Sequence, residues 1–214
     1  MQDEGTEVTE GEIERMFAED GGYRFARWGR PLAPVVFGVE EETLSVVKGA
    51  FEAVCRLAGQ EMDEVDPELG ANIMMFFCRD WQELLGVPDL DRLVPELQAL
   101  VGTLERSEAS QYRAFRFDET GAIKAAFVFL RMRGALAEQP GEVLALGQVV
   151  QVMLLWGAAA FQTRSPLAVA GGITILRPEI AGLIRAAYDP VLPDVAGDAS
   201  HALRLAARME RDAS

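Results

Sequence analysis

Apolar residues recur with helical spacing in several stretches of the chain. The clearest stretch covers residues 40–58, where five apolar residues share one helix face: Leu44, Val47, Phe51, Val54 and Ala58. Glutamates at positions 40–42 lie where carboxylates stabilise the N-terminal end of a helix dipole. Gly59 follows directly, and glycine commonly ends a helix. The pattern therefore predicts a helix over residues 40–58 that packs on a core through one side.

Capping signals predict a second helix near the start of the chain. Thr9 and Glu12 have the spacing of a capping box, which favours a helix over residues 10–19 that Gly21 and Gly22 would end. Five further helices are predicted over residues 81–85, 90–106, 142–161, 178–188 and 199–211. Glycines 171 and 172 are expected to lie in a loop.

Strand patterns occur between these helices. Pro31–Phe37 fits an edge strand because proline lacks a backbone N–H, and the solid apolar run Ala71–Cys78 fits a buried strand. Gln111–Phe117 and Ile123–Met132 are predicted to form a hairpin around a turn at residues 118–121. The order of elements differs from the regular alternation of a doubly wound fold. We therefore expect an α+β fold with helices packed on a small mixed or antiparallel sheet.

Composition limits the domain organisation and the partners. The chain has 214 residues, half of them apolar, and no linker-like or repetitive stretch divides it. We expect an N-terminal helix and lead-in over residues 1–22 and a single globular domain over residues 23–214. The net charge of −14 repels phosphate, which makes nucleic acid and anionic membrane surfaces unsuitable partners. Cations and basic protein surfaces suit this charge better.

Two stretches bear on membranes and export. Val143–Phe161 has about the length of a bilayer span, but Gln148 and Gln151 lie inside it, so a buried core helix is expected and no membrane span. The acidic first 17 residues lack the apolar segment of a signal peptide. This pattern predicts a cytoplasmic protein, or a periplasmic or secreted one from which a leader has been removed.

Few residues can support familiar catalysis or metal binding. His201 is the single histidine and is expected on an exposed helix face, which leaves no base for a serine or cysteine triad and poor ligands for zinc. Cys55 and Cys78 are expected as buried free thiols, with a disulfide as the alternative. The acidic run 61–68 is expected to be a solvated loop, with weak Ca²⁺ or Mg²⁺ binding as the alternative. We expect no metal and no cofactor.

Gln148 and Gln151 are unusual because they lie three residues apart in an otherwise apolar helix and so share a face. A buried amide without partners costs about 1–3 kcal/mol. Two interpretations follow. The two side chains either bind neighbouring backbone and fix the packing of the helix, or they line a cleft.

Three segments resemble one protein family. They are Phe25–Pro31 with its Arg-Trp and Pro, Leu146–Leu155, and Leu176–Pro190 with its Tyr-Asp-Pro ending. Together they resemble the DUF2927 family of secreted or lipoprotein-like proteins, over about residues 24–210. The resemblance implies an exported protein with a zincin-like metallopeptidase layout.

The central helix departs from the pattern of that family and of metallopeptidases. Gly147 and Gln148 occupy positions where acidic residues are usual in the family, while Gln151 matches its glutamine. The His-Glu-x-x-His motif of a metallopeptidase would fall on Gly147–Gln151, which has neither metal ligands nor a general base. The resemblance thus implies a degenerate active-site helix without zinc-dependent catalysis.

The leading hypothesis is a non-catalytic protein that binds an unknown protein or peptide. Its cleft would be bordered by Gln148, Gln151, Trp156 and Tyr188. One alternative is a hydrolase of unrecognised type that uses carboxylates such as Glu179 or Asp189. Another alternative is a structural subunit that forms a homodimer.

Overall fold

The structure, a computed structural model, describes residues 8–19 and 22–213. The helices are α1 (Glu10–Met16), α2 (Glu41–Ala58), α3 (Leu90–Leu93), α4 (Leu97–Arg106), α5 (Gly141–Met153), α6 (Pro178–Ala187) and α7 (Ser200–Ala213). The strands are β1 (Ala18–Glu19), β2 (Gly22–Tyr23), β3 (Phe25–Ala26), β4 (Pro34–Phe37), β5 (Ile73–Cys78), β6 (Gln111–Phe117), β7 (Ile123–Arg131), β8 (Leu167–Ala170), β9 (Ile173–Leu176) and β10 (Val195–Ala196). Short 3-10 helices cover Trp81–Gly86 and Gly134–Leu136.

A four-stranded mixed sheet forms the centre of the fold. Its strand order is β4-β5-β7-β6, with β4, β5 and β7 parallel and β6 antiparallel to β7. Pro34 begins the edge strand β4, where its missing N–H leaves no gap in the ladder. The α+β class predicted from the sequence is confirmed.

Helices cover both faces of this sheet. Strand β5 alternates between the two sides, with Met75 and Phe77 in the larger core beneath α2 and α5, and Phe76 and Cys78 in a smaller core. Residues of the 3-10 helix at Trp81, of α3 and of α4 complete the smaller core. Because β5 is buried on both sides, it has a continuous apolar run, as its sequence predicts.

The helix predicted over residues 90–106 is divided at Pro95. Val94 has an extended backbone with φ −120° and ψ 92°, as steric contact with a following proline favours. Glu96 then adopts a left-handed conformation with φ 57° before α4 begins. The prediction of one continuous helix was wrong because proline disfavours the helical conformation in the residue before it.

The apolar stretch predicted as a helix over residues 142–161 is helical only as far as Met153. Leu154 is extended and forms a bridge with Arg27, and the Leu155 N–H donates to the Ala26 carbonyl at 2.9 Å. The chain joins β3 at this point instead of continuing α5. In the part of the chain that the structure describes, no helix is long and apolar enough to cross a bilayer.

Three smaller predictions also need correction. The first helix has the predicted capping box but ends at Met16; Gly21 lies outside the described residues. Leu44, assigned to the buried face of α2, is 42% exposed. Gly171 and Gly172 lie in a turn, as expected, with φ values of 58° and 81° that suit a tight two-residue connection, but the flanking strands β8 and β9 were not predicted.

Candidate functional site

Gln148 is buried in a polar cluster between α5 and the edge strand β6. Only 3% of the surface of Gln148 is exposed to solvent. The Gln148 Oε1 accepts a hydrogen bond from the Arg113 Nη2 at 2.9 Å, and its Nε2 donates to the Gln111 Oε1 at 3.0 Å. Burial lowers the pKa of Arg113 to about 10, and Arg113 forms no ion pair with a described residue. Gln148 therefore helps to solvate a guanidinium that has no counter-ion there.

Gln151 makes different contacts, although it lies less than one helical turn from Gln148. Its Nε2 donates to the Gly147 carbonyl of its own helix at 3.0 Å. This bond is local, since it joins residues that α5 already holds together. The two glutamines predicted to share a role thus have separate ones.

Trp156 and Tyr188 stabilise the buried C-terminal end of α5. The last carbonyls of a helix lack partners within the helix and need donors from elsewhere. The Tyr188 hydroxyl donates to the Met153 carbonyl at 2.7 Å, and the Trp156 Nε1 donates to the Val150 carbonyl at 3.0 Å. The Trp28 Nε1 supplies a third bond, to the Val152 carbonyl at 2.8 Å. These indole and phenol groups explain why α5 can end inside the core.

We expect Gln148→Leu to lower the free energy of unfolding by about 2 kcal/mol, because the Arg113 guanidinium loses an acceptor in a buried place. Urea unfolding would measure this loss. The matched control is Gln151→Leu, which removes only a bond within α5 and should change stability by less than about 0.5 kcal/mol. Equal losses in the two variants would contradict the distinction between the two side chains.

The carboxylates considered for hydrolysis are both held by arginines. The Asp189 Oδ2 lies 2.9 Å from guanidinium nitrogens of Arg208 and Arg211. The Val191 N–H and the Arg208 charge lower the pKa of Asp189, which favours its ionised form. The Glu179 Oε1 lies 2.8 Å from the Arg164 Nη2 at a cavity of about 390 Å³ between α1 and α6. These pairings are typical of ion pairs that join neighbouring elements.

His201 is buried, so the prediction of an exposed histidine was wrong. It is 2% exposed, and its ring centroid lies 4.4 Å from that of Phe25 and 6.1 Å from that of Tyr23. Neither ring nitrogen has a hydrogen-bond partner among the described residues. Burial, with the charges of Arg204 and Arg27, lowers the pKa of His201 to about 4. The ring is therefore neutral at physiological pH and packs as part of the core.

The surroundings of the two cysteines and of the acidic run 61–68 indicate structural roles. Cys55 and Cys78 are buried, unbonded and in different cores, and burial raises their pKa values to about 12 and about 11. Asp66 is 4% exposed and accepts N–H bonds from Glu68 and Leu69, which shape the acidic loop. No group of three or more histidine, cysteine or acidic side chains within the described ranges could hold a metal ion.

A second, larger cavity lies at the carboxyl ends of the three parallel strands. We call it the carboxyl-edge cleft; its volume is about 610 Å³. It is lined by Gly38, Val39, Glu40, Thr43, Val47, Phe77, Arg79, Met132, Gln139, Gly141, Leu144 and Ala145. The ends of β4, β5 and β7 meet here, and α2 and α5 both begin at this edge. Open parallel sheets characteristically bind ligands at this place.

The lining of the cleft combines an apolar floor with polar groups at the rim. Val47, Phe77 and Leu144 supply buried apolar surface. The side chains of Glu40 and Arg79 form no ion pair or hydrogen bond with any residue in the described ranges. A carboxylate and a guanidinium without partners in the described ranges, beside an apolar floor, suit the binding of a small amphipathic molecule.

Gly38 allows the chain to turn from β4 into the cleft. Its φ is +80°, and a Cβ built there would lie 2.0 Å from the Phe77 carbonyl oxygen. Only glycine fits this close approach between the ends of two neighbouring strands. The shape of the cleft therefore depends on one residue without a side chain.

The residues predicted to border a cleft lie outside both cavities. Gln148, Gln151, Trp156 and Tyr188 do not line the carboxyl-edge cleft or the cavity beside Glu179. The sequence did contain a signal for the carboxyl-edge cleft, because each strand there is followed by a short connection and a helical segment. Using that signal requires knowledge that the three strands are parallel neighbours.

Comparison of the chain with known proteins gave no match. No family model matches it, and neither the characterised proteins nor the solved structures contain a match. A function is therefore inferred chiefly from the geometry of the described residues.

Proposed function

We propose that this chain is a non-catalytic binding protein that holds a small amphipathic ligand in the carboxyl-edge cleft. The observation that carries the proposal is the cleft itself, a cavity of about 610 Å³ where three parallel strands end and two helices begin. Sites for small ligands in proteins typically have volumes of about 300–1,000 Å³, with mostly apolar walls and a few polar groups.

The polar rim determines what kind of ligand fits. Glu40 and Arg79 carry opposite charges, and neither is neutralised by another described residue. Gln139 adds an amide that can donate and accept. A ligand with an apolar body and a polar head can bury the body against Phe77 and Leu144 while its head binds at the rim.

The resemblance to the DUF2927 family supports the non-catalytic part of this proposal. It implies that α5 is a degenerate active-site helix in a metallopeptidase-like layout, with Gly147–Gln151 in place of the catalytic motif. The proposal keeps α5 as part of the binding site. It assigns the ligand to the N-terminal end of the helix, at Gly141, Leu144 and Ala145, instead of the segment that corresponds to the motif.

A set of small probes with one apolar chain and different heads tests the proposal. Hexanoate, hexylamine and hexanol would be titrated into the protein, with binding followed by heteronuclear NMR. We expect saturable binding of at least one of them. Thr43→Trp should abolish it, because the indole would fill the cleft from the first turn of α2, where Thr43 is half-buried.

The matched control is Ser45→Trp, an exposed position two residues further along the same helix. This variant introduces the same ring but on another side of α2, so it should bind the probe as the wild type does. Arg79→Gln should weaken only the anionic probe, and Glu40→Gln only the cationic one. Absence of binding by all three probes, or equal binding by the Thr43→Trp variant, would contradict the proposal.

A further inference from the structure

The β8–β9 hairpin exposes an unusual amount of apolar surface. Val169 is 74% exposed, Ile173 is 69% exposed and Ile175 is 37% exposed. Each of the two strands makes its main contacts with the other, not with the rest of the described chain. A two-stranded hairpin on its own is at best marginally stable in water, so further contacts would stabilise it.

The outer edge of β9 is open for pairing. The two-residue turn makes Ala170 and Ile173 a hydrogen-bonded pair, and bonding then alternates along the strands. The N–H and C=O groups of Thr174 and Leu176 therefore point away from β8. No backbone hydrogen bond joins β9 to another element in the described part of the chain. An open edge of this kind is a template for another strand.

The absence of charge in the hairpin indicates what the partner is. Residues 165–176 contain no charged side chain, although one residue in four of the whole chain is charged and the net charge is −14. Two copies of so acidic a protein repel each other over most of their surfaces. They can approach where the surface is uncharged and apolar, and the hairpin is such a place. Natural edge strands that avoid self-pairing usually carry lysine or proline, which β9 lacks.

We propose that two copies of this chain associate through β9, pairing antiparallel about a two-fold axis. The two hairpins then form one four-stranded sheet, and Ile173 and Ile175 of each copy lie against those of the other. A symmetric contact of this type is self-complementary, so one surface serves both copies. Because the hairpin is small, the dimer should be weak and depend on concentration.

Sedimentation velocity over a range of protein concentrations tests this proposal. The wild type should shift from monomer to dimer as its concentration rises. Ile173→Glu places a charge in the contact, and Thr174→Pro removes an outward N–H, so each should raise the dissociation constant at least about tenfold. Circular dichroism would verify that both variants remain folded. Because the two substitutions differ in kind, weakening by both would show that the contact itself is affected.

The control is Val191→Glu, which introduces the same charge at an apolar residue that is 72% exposed but lies outside the hairpin. It should dimerise as the wild type does. A wild type that stays monomeric at every concentration would overturn the proposal. So would a monomer that floats with phosphatidylglycerol vesicles, because the hairpin would then bind lipid, and so would equal weakening by Val191→Glu.

Discussion

Replacing Gly38 by alanine should lower the free energy of unfolding by at least about 3 kcal/mol. The new methyl group would lie 2.0 Å from the Phe77 carbonyl oxygen, and φ at this position is +80°. The obstacle is backbone at the carboxyl end of the parallel pair β4–β5, so it cannot move aside as a flexible side chain would. Relief would require β4 and β5 to separate at the carboxyl-edge cleft. Urea unfolding would measure the loss.

Gly59→Ala is the matched control for this substitution. Gly59 ends α2 with φ +67°, but nothing lies within 4 Å of a Cβ built there. The change should therefore cost only the strain of a left-handed alanine, about 1 kcal/mol. If the two variants lost the same stability, the close contact at Gly38 would not constrain the cleft.

The stability of the protein should fall by roughly 3 kcal/mol as the pH drops from 6.5 to about 4, because of His201 alone. The pKa of His201 is lowered from its ordinary 6.5 to about 4 by burial and by the charges of Arg204 and Arg27. The unfolded chain then binds a proton at a higher pH than the folded chain does. The stability is complete above pH 6.5, declines as the pH falls below that value, and stops declining at about pH 4.

His201→Phe tests this pH dependence. The phenyl ring preserves the contact with Phe25 but cannot bind a proton, and the chain has no other histidine. The variant should have nearly constant stability from pH 7 to about 5.5, above which the carboxylates remain ionised. At pH 7 it should be as stable as the wild type. A wild type whose unfolding free energy stays constant over the same range would contradict the burial of a neutral histidine.

Elements with strong local signals could be predicted from the sequence. Helix α2 has an apolar face, an acidic first turn and a terminal glycine, and all three act within a few residues. The capping box of Thr9 and Glu12 is local in the same way, with the Thr9 N–H donating to the Glu12 carboxylate at 2.8 Å. The prolines around β4 and the continuous apolar run of β5 identified an edge strand and a buried strand. Interactions between residues close together in the sequence were sufficient to predict the α+β class.

Features that depend on distant residues could not be predicted. Helix α5 ends at Met153 because Trp28 and Tyr188, far away in the chain, take its last carbonyls. The apolar residues that follow Met153 are equally compatible with a helix, so their pattern does not predict where α5 ends. The burial of His201 depends on β3, which lies against α7 only after folding. The carboxyl-edge cleft likewise joins segments that are separated by more than 90 residues.

The most direct test of the binding proposal is methyl NMR of the wild type during titration with the probe that binds most tightly. We predict that the shift changes concentrate on the methyl groups of Val39, Val47, Met132 and Leu144, which line the carboxyl-edge cleft. Shift changes confined to Val8, Met16 and Ile180 would place the ligand in the cavity beside Glu179 and contradict the account. Uniform small changes over all methyl groups would contradict it as well, since they would indicate that no defined site exists.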